Sequence, residues 1–118
     1  MKTTDEERLQ IIIRIGRDLQ SYIRSQGLSR DDILTNQVVQ WTITTPLYNI
    51  GEHVYQLSSA FKEQYPDIPW FLIAGMRHRL VHDYEGTNWS VVAEAALKDV
   101  PAFIDQLERI VSQNSQGR

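Results

Sequence analysis

Apolar residues recur every three or four positions along most of this chain, which is the spacing of helices that bury one face. The first such stretch, residues 4 to 26, predicts a helix with Thr4 as its cap, acidic residues in its first turn and a stop at Gly27. Its apolar stripe comprises Leu9, Ile12, Ile13, Gly16, Leu19 and Ile23. No stretch shows the two-residue alternation of a strand, so the pattern predicts an all-α fold.

A second, long helix is predicted to begin at Ser29, which three charged residues follow, and its apolar stripe then runs from Val39 to Leu57 at spacings of four or three. Pro46 lies inside this stretch and lacks a backbone donor, so we expect a kink there and not an end. Trp41, Tyr48 and Tyr55 form a second, aromatic stripe. At helical spacing such a stripe is more typical of a core or a dimer interface than of a base-stacking platform.

The middle of the chain predicts a connection and then a third helix. The prolines at positions 66 and 69 mark a connection over residues 58 to 69, with room for one short helical turn. The third helix begins at Pro69 or Trp70 and runs into the segment RHRLVHDY, residues 77 to 84.

The last helical region is predicted to start after a cap at Thr87 or Asn88, and Pro101 should kink or restart it. Residues 112 to 118 are polar and are expected to fray. The sequence therefore predicts a single domain over residues 1 to 111, built as an antiparallel bundle of about four to five helices.

Composition narrows the functional classes. The chain has 118 residues, 42% of them hydrophobic, and no cysteine, which suits one core without disulfides. The start, MKTTDEERLQ, is polar and no apolar run is long enough to cross a bilayer, so we expect a cytoplasmic protein with no membrane partner. The net charge of −3 argues against strong bulk affinity for RNA. A local cationic cluster can still act, because salt screens charges beyond about 8–10 Å.

RHRLVHDY contains the densest cationic cluster and the candidate chemistry. Arg77 and His82 are five positions apart, so on a regular helix they differ by about 140° in direction and ~7.5 Å along the axis. Either the helix frays near His82 and turns the imidazole back, or two copies of the segment meet at a two-fold axis. The second arrangement pools two arginines with two histidines.

Such a pool suits the cleavage of a phosphodiester. One histidine can take the proton of a ribose 2′-hydroxyl while a second protonates the departing 5′-oxygen. The arginine donors stabilise negative charge on the phosphoryl oxygens. We expect no metal and no other cofactor.

Arg77-x4-His82-x-Tyr84 resembles the R-x4-H-x-Y signature of HepT-type toxins in the HEPN superfamily, and residues 49 to 52 are similar to that family's Ile-Gly-Glu stretch. The resemblance implies a HEPN-like fold, a homodimer and an endoribonuclease of a bacterial or archaeal toxin-antitoxin pair. It also implies that Arg77 and His82 cleave RNA and that Tyr84 accepts AMP. The implied donor of AMP is a minimal nucleotidyltransferase antitoxin, MntA.

Three further polar residues are candidates for positioning RNA: His78, Arg79 and Glu52. Glu52 is either a surface carboxylate or, turned inward, the partner of Arg77 or Arg79. His53 is expected to be a partly buried helix residue. A metal site at His78 and His82 is disfavoured, because Arg79 stands where a zinc-protease helix needs glutamate.

Two other functions stay open. His78 follows the motif arginine, where members of the family commonly have asparagine or another small polar residue. A non-catalytic HEPN module that binds nucleotide or docks a nucleotidyltransferase is therefore the alternative. The third interpretation is a structural helical dimer in which the arginine and histidine only complement the dipole of a helix end.

Overall fold

The computed structural model describes residues 3–82 and 86–116, and all regular structure in this part of the chain is helical. The predicted all-α fold is confirmed. The elements follow in the order α1 Thr3–Ser25, α2 Arg30–Thr35, α3 Gln37–Gln56, α4 Ser59–Glu63, α5 Trp70–Ala74, α6 Met76–His82, α7 Trp89–Glu94, a π-helical turn Ala95–Asp99, and α8 Val100–Gln116.

The core lies between the long helices. α1 packs against α3 and α8, α3 also packs against α5 and α6, and the short α2 packs against α7. The largest fully buried side chains come from most of these elements: Phe103, Leu9, Ile12, Ile33, Ile43, Leu47, Ile50, Ile73, Ile104, Leu107, Val54 and Val100. When α5–α6 and α7–α8 each count as one helical region, the bundle matches the predicted number of main helices.

The first helix ends as predicted but begins differently. Gly27 has a φ of +60°, the left-handed region that glycine adopts without strain, and the Leu28 N–H donates to the carbonyl of Ile23. Thr4, however, is not the cap, because α1 already includes Thr3.

The predicted second helix is in fact two helices. Asn36 between them is extended, with φ −105° and ψ 111°, and its side-chain oxygen accepts from the N–H groups of Val38 and Val39. An asparagine that caps the following helix in this way ends the preceding one. The break was missed because the helix start at Ser29 and the apolar stripe from Val39 onward were assigned to one helix. α3 then runs through Pro46 without ending, as predicted.

α5 and α6 meet at Gly75 and are nearly one helix, as the sequence predicted. Gly75 keeps right-handed helical angles, its N–H donates to the carbonyl of Phe71, and its own carbonyl accepts from Arg79. The short α4 before them confirms the helical turn predicted within residues 58 to 69.

Pro101 is preceded by a π-helical turn that the sequence did not predict. Asn88 caps α7, accepting from the N–H groups of Ser90 and Val91, and the helix widens into the π-helical turn just before Pro101. In this turn the N–H of Val100 donates five residues back, to Ala95. The prediction of fraying from residue 112 is wrong, because α8 continues to Gln116. Val111 is half-buried and packs against the core, which supports that extension.

Asp5 ties the start of α1 to the end of α3. This carboxylate is only 4% exposed and accepts from both the N–H and the hydroxyl of Ser58, at 2.9 and 2.7 Å. Ser58 in turn caps α4, accepting from the N–H of Phe61. The sequence suggested only a favourable charge near the helix N-terminus, whereas the fold gives Asp5 a buried structural role.

Candidate active site

α3 meets the α5–α6 helix at Gly51, and this close approach builds the site. A Cβ atom added to Gly51 would lie 3.0 Å from the backbone nitrogen of Arg77 and 3.1 Å from the carbonyl oxygen of Ile73. A Cβ at these distances is tighter than nearly all real Cβ contacts, so a larger residue would require the backbone of the neighbouring helix to shift by a few tenths of an ångström. The contact therefore brings the next residue of α3, Glu52, beside the motif arginine.

Arg77 is held by two side chains of α3. Its Nε lies 3.6 Å from Oε2 of Glu52, and its guanidinium carbon lies 3.8 Å from the centre of the Tyr55 ring. Glu52 and Tyr55 are three positions apart and therefore share one helix face. The other oxygen of Glu52 accepts from Nε2 of Gln56 at 3.3 Å. Glu52 thus has Arg77 as the cationic partner that one alternative required, although its side chain stays 36% exposed and is not buried.

These contacts orient Arg77 more than they stabilise the fold. The side chains of Arg77 and Glu52 are 31% and 36% exposed, and ion pairs open to water contribute little to stability. The planar guanidinium, however, is fixed from one side by an aromatic face and from another by a carboxylate. An arginine with a set orientation can present its remaining donors to an anion.

Behind Glu52, His53 contacts α1. Its Nδ1 lies 3.1 Å from an Nη1 of Arg8. Arginine only donates, so Nδ1 must accept, which requires a neutral imidazole. Burial, and then the charge of Arg8, lower the pKa of His53, whereas Glu52 acts in the opposite direction. His53 is partly buried, as predicted, and Nε of Arg8 is buried without a hydrogen-bond partner.

The other motif residues point away from Arg77 or lie outside the described side chains. The backbone of α6 stays helical up to His82, so it does not unwind between the two motif residues. Tyr84, the predicted AMP acceptor, lies outside the described residues. Arg79 is two positions from Arg77 and so faces roughly the opposite side of the helix. It is exposed and lines a small cavity of about 30 Å³ with residues of α7.

His78 opens onto a larger feature, which we call the α4–α5 groove. The groove has a volume of about 810 Å³ and is lined by Tyr55, Leu57, Ser59, Lys62, Glu63, Pro66, Ile68, Trp70, Phe71, Ala74, Gly75, Arg77 and His78. Two motif residues therefore stand at its edge. Sequence reasoning missed the groove and the role of Tyr55, because both depend on how α4, α5 and the end of α3 come together.

The described residues contain neither a cluster of metal ligands nor a membrane-spanning helix. No group of three or more acidic, histidine or cysteine residues in this part of the chain is placed to hold a metal ion. None of its helices is long and apolar enough to cross a membrane.

A family model described as "Ribonuclease HepT-like" matches residues 8–110. The chain belongs to the HepT-like ribonuclease family. The matched range contains Gly51, Glu52, Tyr55 and the whole of α6, so the site lies inside the region that defines the family. The resemblance seen in the sequence motif is thereby confirmed at the level of the family.

Individual relatives of this chain carry ribonuclease names. The protein named "Probable ribonuclease HepT" from Thermococcus cleftensis is 26% identical over 93% of this chain and 98% of its own length. "Putative RNase TTE0752" from Caldanaerobacter subterraneus subsp. tengcongensis is 34% identical over 76% of this chain and 80% of its own. "Putative RNase MJ0127" from Methanocaldococcus jannaschii is 32% identical over 74% and 72%. No solved structure matches the chain significantly.

Proposed function

We propose that this chain is a metal-independent endoribonuclease that acts as a two-fold dimer, with Arg77 and His82 of both protomers at a shared site. One observation carries the proposal: Arg77 is clamped by Glu52 and Tyr55 in a chain of a ribonuclease family. Stabilising the negative charge that grows on a phosphoryl group requires donors that are already oriented, and an arginine held by its neighbours meets that requirement.

The backbone of α6 supports the proposed dimer. The helix is regular up to position 82, and two positions five apart on a regular helix differ by about 140° in direction. A second copy across a dyad supplies the missing directions. Exposed apolar side chains at the start of α3 support association, because Val38 and Trp41 are 63% and 54% exposed.

In the proposed reaction, His82 of one protomer takes the proton of the 2′-hydroxyl and the 2′-oxygen attacks the adjacent phosphorus. The bond from phosphorus to the 5′-oxygen breaks, and His82 of the partner protonates that oxygen. The products are a 2′,3′-cyclic phosphate and a 5′-hydroxyl. Arg77 stabilises the charge that grows on the non-bridging oxygens, while His78, Arg79 and Glu52 are candidates for positioning the strand.

The proposed biological role is a toxin whose activity a minimal nucleotidyltransferase of the MntA type switches off. The acceptor of AMP would be Tyr84, two positions after His82. An added phosphate there would occupy the place of RNA phosphate and engage the same arginines. Incubation with ATP and the partner enzyme should add whole AMP groups to the intact mass, and Tyr84→Phe should add none.

The central experiment measures cleavage of a labelled RNA in EDTA. Wild-type protein should cleave, and His82→Ala and Arg77→Lys should each lower kcat/KM by about 10²-fold or more, the loss seen when one charge-stabilising group is removed. Arg24→Lys, the same exchange at the exposed end of α1, is the matched control and should not change the rate. Full activity in His82→Ala, or an active species that light scattering shows to be monomeric, would contradict the proposal.

The alternative is the non-catalytic module, which His78 after the motif arginine favours. It predicts no cleavage at any protein concentration and a stable complex with the nucleotidyltransferase. The same assay, run beside a binding measurement with that partner, separates the two functions.

A further inference from the structure

Phe71 stands out on the surface of this molecule. Its side chain is 95% exposed, although its neighbour Trp70 is 6% exposed and fully part of the core. Together with Tyr55, which is also exposed, Phe71 gives the α4–α5 groove two aromatic rings that face solvent.

Trp70, which also lines the groove, is held in place by hydrogen bonds and by ring contacts. Nε1 of Trp70 donates to the carbonyls of Lys62 and Tyr65, at 3.2 and 3.0 Å, which ties α5 to the α4 segment. The Trp70 ring also packs edge-on against Phe61 and Phe103, with centroids 5.7 Å apart in each case. The groove is therefore a preformed feature and not a gap between loose segments.

The groove combines exposed aromatic faces with cationic side chains. Tyr55 and Phe71 present rings that are 54% and 95% exposed. Its charged lining consists of Lys62, Arg77 and Glu63, and Glu52 beside the groove pairs with Arg77. Lys62 keeps its ammonium group within reach of the groove, where it donates to the carbonyl of Val54 at 3.4 Å. The groove therefore offers two cationic side chains to a phosphate, although carboxylates nearby offset their charge.

We infer that the α4–α5 groove binds unpaired RNA nucleotides next to the scissile phosphate, with a base stacked on Phe71 and a phosphate near Lys62. This inference rests on the proposed ribonuclease function. Single-stranded nucleic acid is recognised by cationic grooves in which bases stack on aromatic rings. A base in a duplex offers no free face, so such a groove selects single-stranded substrate. Stacking accepts any base, so the groove selects strandedness more than sequence.

The size and position of the groove suit this ligand. About 810 Å³ lies in the range of sites for small organic ligands, about 300–1,000 Å³, and accommodates a nucleotide. Arg77 stands at its edge, so a strand lying in the groove leads directly to the proposed cleavage site. The competing occupant is a second copy of this chain, which the experiment below distinguishes.

The experiment measures binding of a short labelled single-stranded RNA, and of the same RNA as a duplex, to protein carrying His82→Ala, which should bind without cleaving. Adding Phe71→Ala should weaken single-strand binding by about tenfold, since stacking contributes roughly 1–3 kcal/mol per base. Phe71→Trp should restore it. Duplex binding should be weak and indifferent to either change. Lys62→Gln should lower the slope of log Kd against log salt by about one.

The matched control is Tyr22→Ala, which removes an aromatic ring of α1 that is 40% exposed and lines a different surface. It should leave RNA binding unchanged. Light scattering and circular dichroism on every variant separate loss of RNA contact from loss of the dimer or the fold.

Three outcomes overturn the inference. Unchanged single-strand affinity in Phe71→Ala means that no base stacks there. A shift of Phe71→Ala from dimer to monomer means that the ring belongs to a protein interface. Equal affinity for duplex and single strand means that the groove does not select unpaired RNA. If instead the wild-type protein neither binds nor cleaves RNA, the proposed function itself fails, which is a distinct result.

Discussion

Two helix contacts in this protein are built around glycine, and they differ in what the glycine faces. At the α1–α8 contact, a Cβ on Gly16 would come 2.5 Å from the side chain of Ile104. At the contact of α3 with α5–α6, a Cβ on Gly51 would meet the backbone of Arg77 and Ile73. The first contact lies between a glycine and a buried side chain, whereas the second lies between a glycine and the backbone that carries Arg77.

The ion pairs beside the two glycines also differ in their relation to the proposed site. Beside Gly16, Arg17 pairs with Asp105 and Glu108 on α8 through side chains that are 39% to 54% exposed. These are surface ion pairs of small energetic value. Beside Gly51 lies the Glu52–Arg77 pair, which aims the proposed catalytic cation. The first contact therefore holds the scaffold together, and the second also sets the geometry of the site.

The sharpest test of this comparison is the same substitution at both glycines. Gly51→Ala should destabilise the protein by about 1–3 kcal/mol, the usual result of overpacking. It should also lower kcat/KM for RNA at least tenfold, because a small displacement of α6 moves Arg77 off its target. Denaturant unfolding and cleavage assays on the folded fraction give the two values.

Gly16→Ala is the matched control. Ile104 is fully buried, and a Cβ on Gly16 would lie 2.5 Å from both its Cγ1 and its Cδ1, so this variant should lose at least as much stability as Gly51→Ala. Activity per folded molecule should stay at the wild-type level. If both variants lose activity equally, the contact at Gly51 has no special relation to the site.

A smaller effect is expected from Glu52→Gln. Losing the carboxylate frees the Arg77 side chain to adopt other orientations, so kcat should fall several-fold. RNA binding should stay equal or become tighter, because a negative charge beside the phosphate path is removed. The measurement is the separate determination of kcat and KM under single-turnover and steady-state conditions. Glu108→Gln, which removes a carboxylate from the α1–α8 contact, should change neither.

A rise in KM with unchanged kcat in Glu52→Gln would show that the carboxylate helps to bind substrate and does not orient Arg77. That result would leave Tyr55 as the group that holds the guanidinium.

The smallest expected effect concerns His53, whose pKa is lowered by burial and by Arg8. Below the ordinary histidine pKa of 6.5, the unfolded chain takes up a proton that the folded imidazole resists. The contribution of His53 to the free energy of unfolding should therefore be fully present above about pH 6.5 and decline as the pH falls below that value. His53→Asn keeps an acceptor for Arg8 and should flatten this part of the profile. Unfolding measurements at a series of pH values check it; an identical slope in the variant would count against the assignment.

Sequence periodicity predicted most of the fold. The stripes of α1, α3 and α8 indicate their buried faces directly, because burial of one helix face requires apolar residues at that spacing. The errors lie at helix ends. Asn36 caps a helix that was predicted to begin earlier, and α8 continues beyond its last apolar residues. The π-helical turn before Pro101 was expected only as a disturbance, because proline specifies that a hydrogen bond is lost and not how the helix adjusts.

The candidate site was predictable in part. The residue types of the motif indicated phosphodiester chemistry, and Glu52 emerged as a possible partner of Arg77. Tyr55 was grouped with Trp41 and Tyr48, since all three share a spacing of seven. Only the packing of α3 against α6 separates them, because it brings Arg77 over the Tyr55 ring alone.

The sequence by itself determined an all-helical domain and a family resemblance, and it proposed Arg77 and His82 as candidates for acting on RNA. These follow from the intrinsic chemistry of side chains and from periodicity, which are properties of the chain taken locally. The tertiary structure decided what Arg77 touches, how closely α3 approaches α6 at Gly51, and that Phe71 is exposed in the α4–α5 groove. Those features depend on distances between residues far apart in sequence, which only the packed helices define.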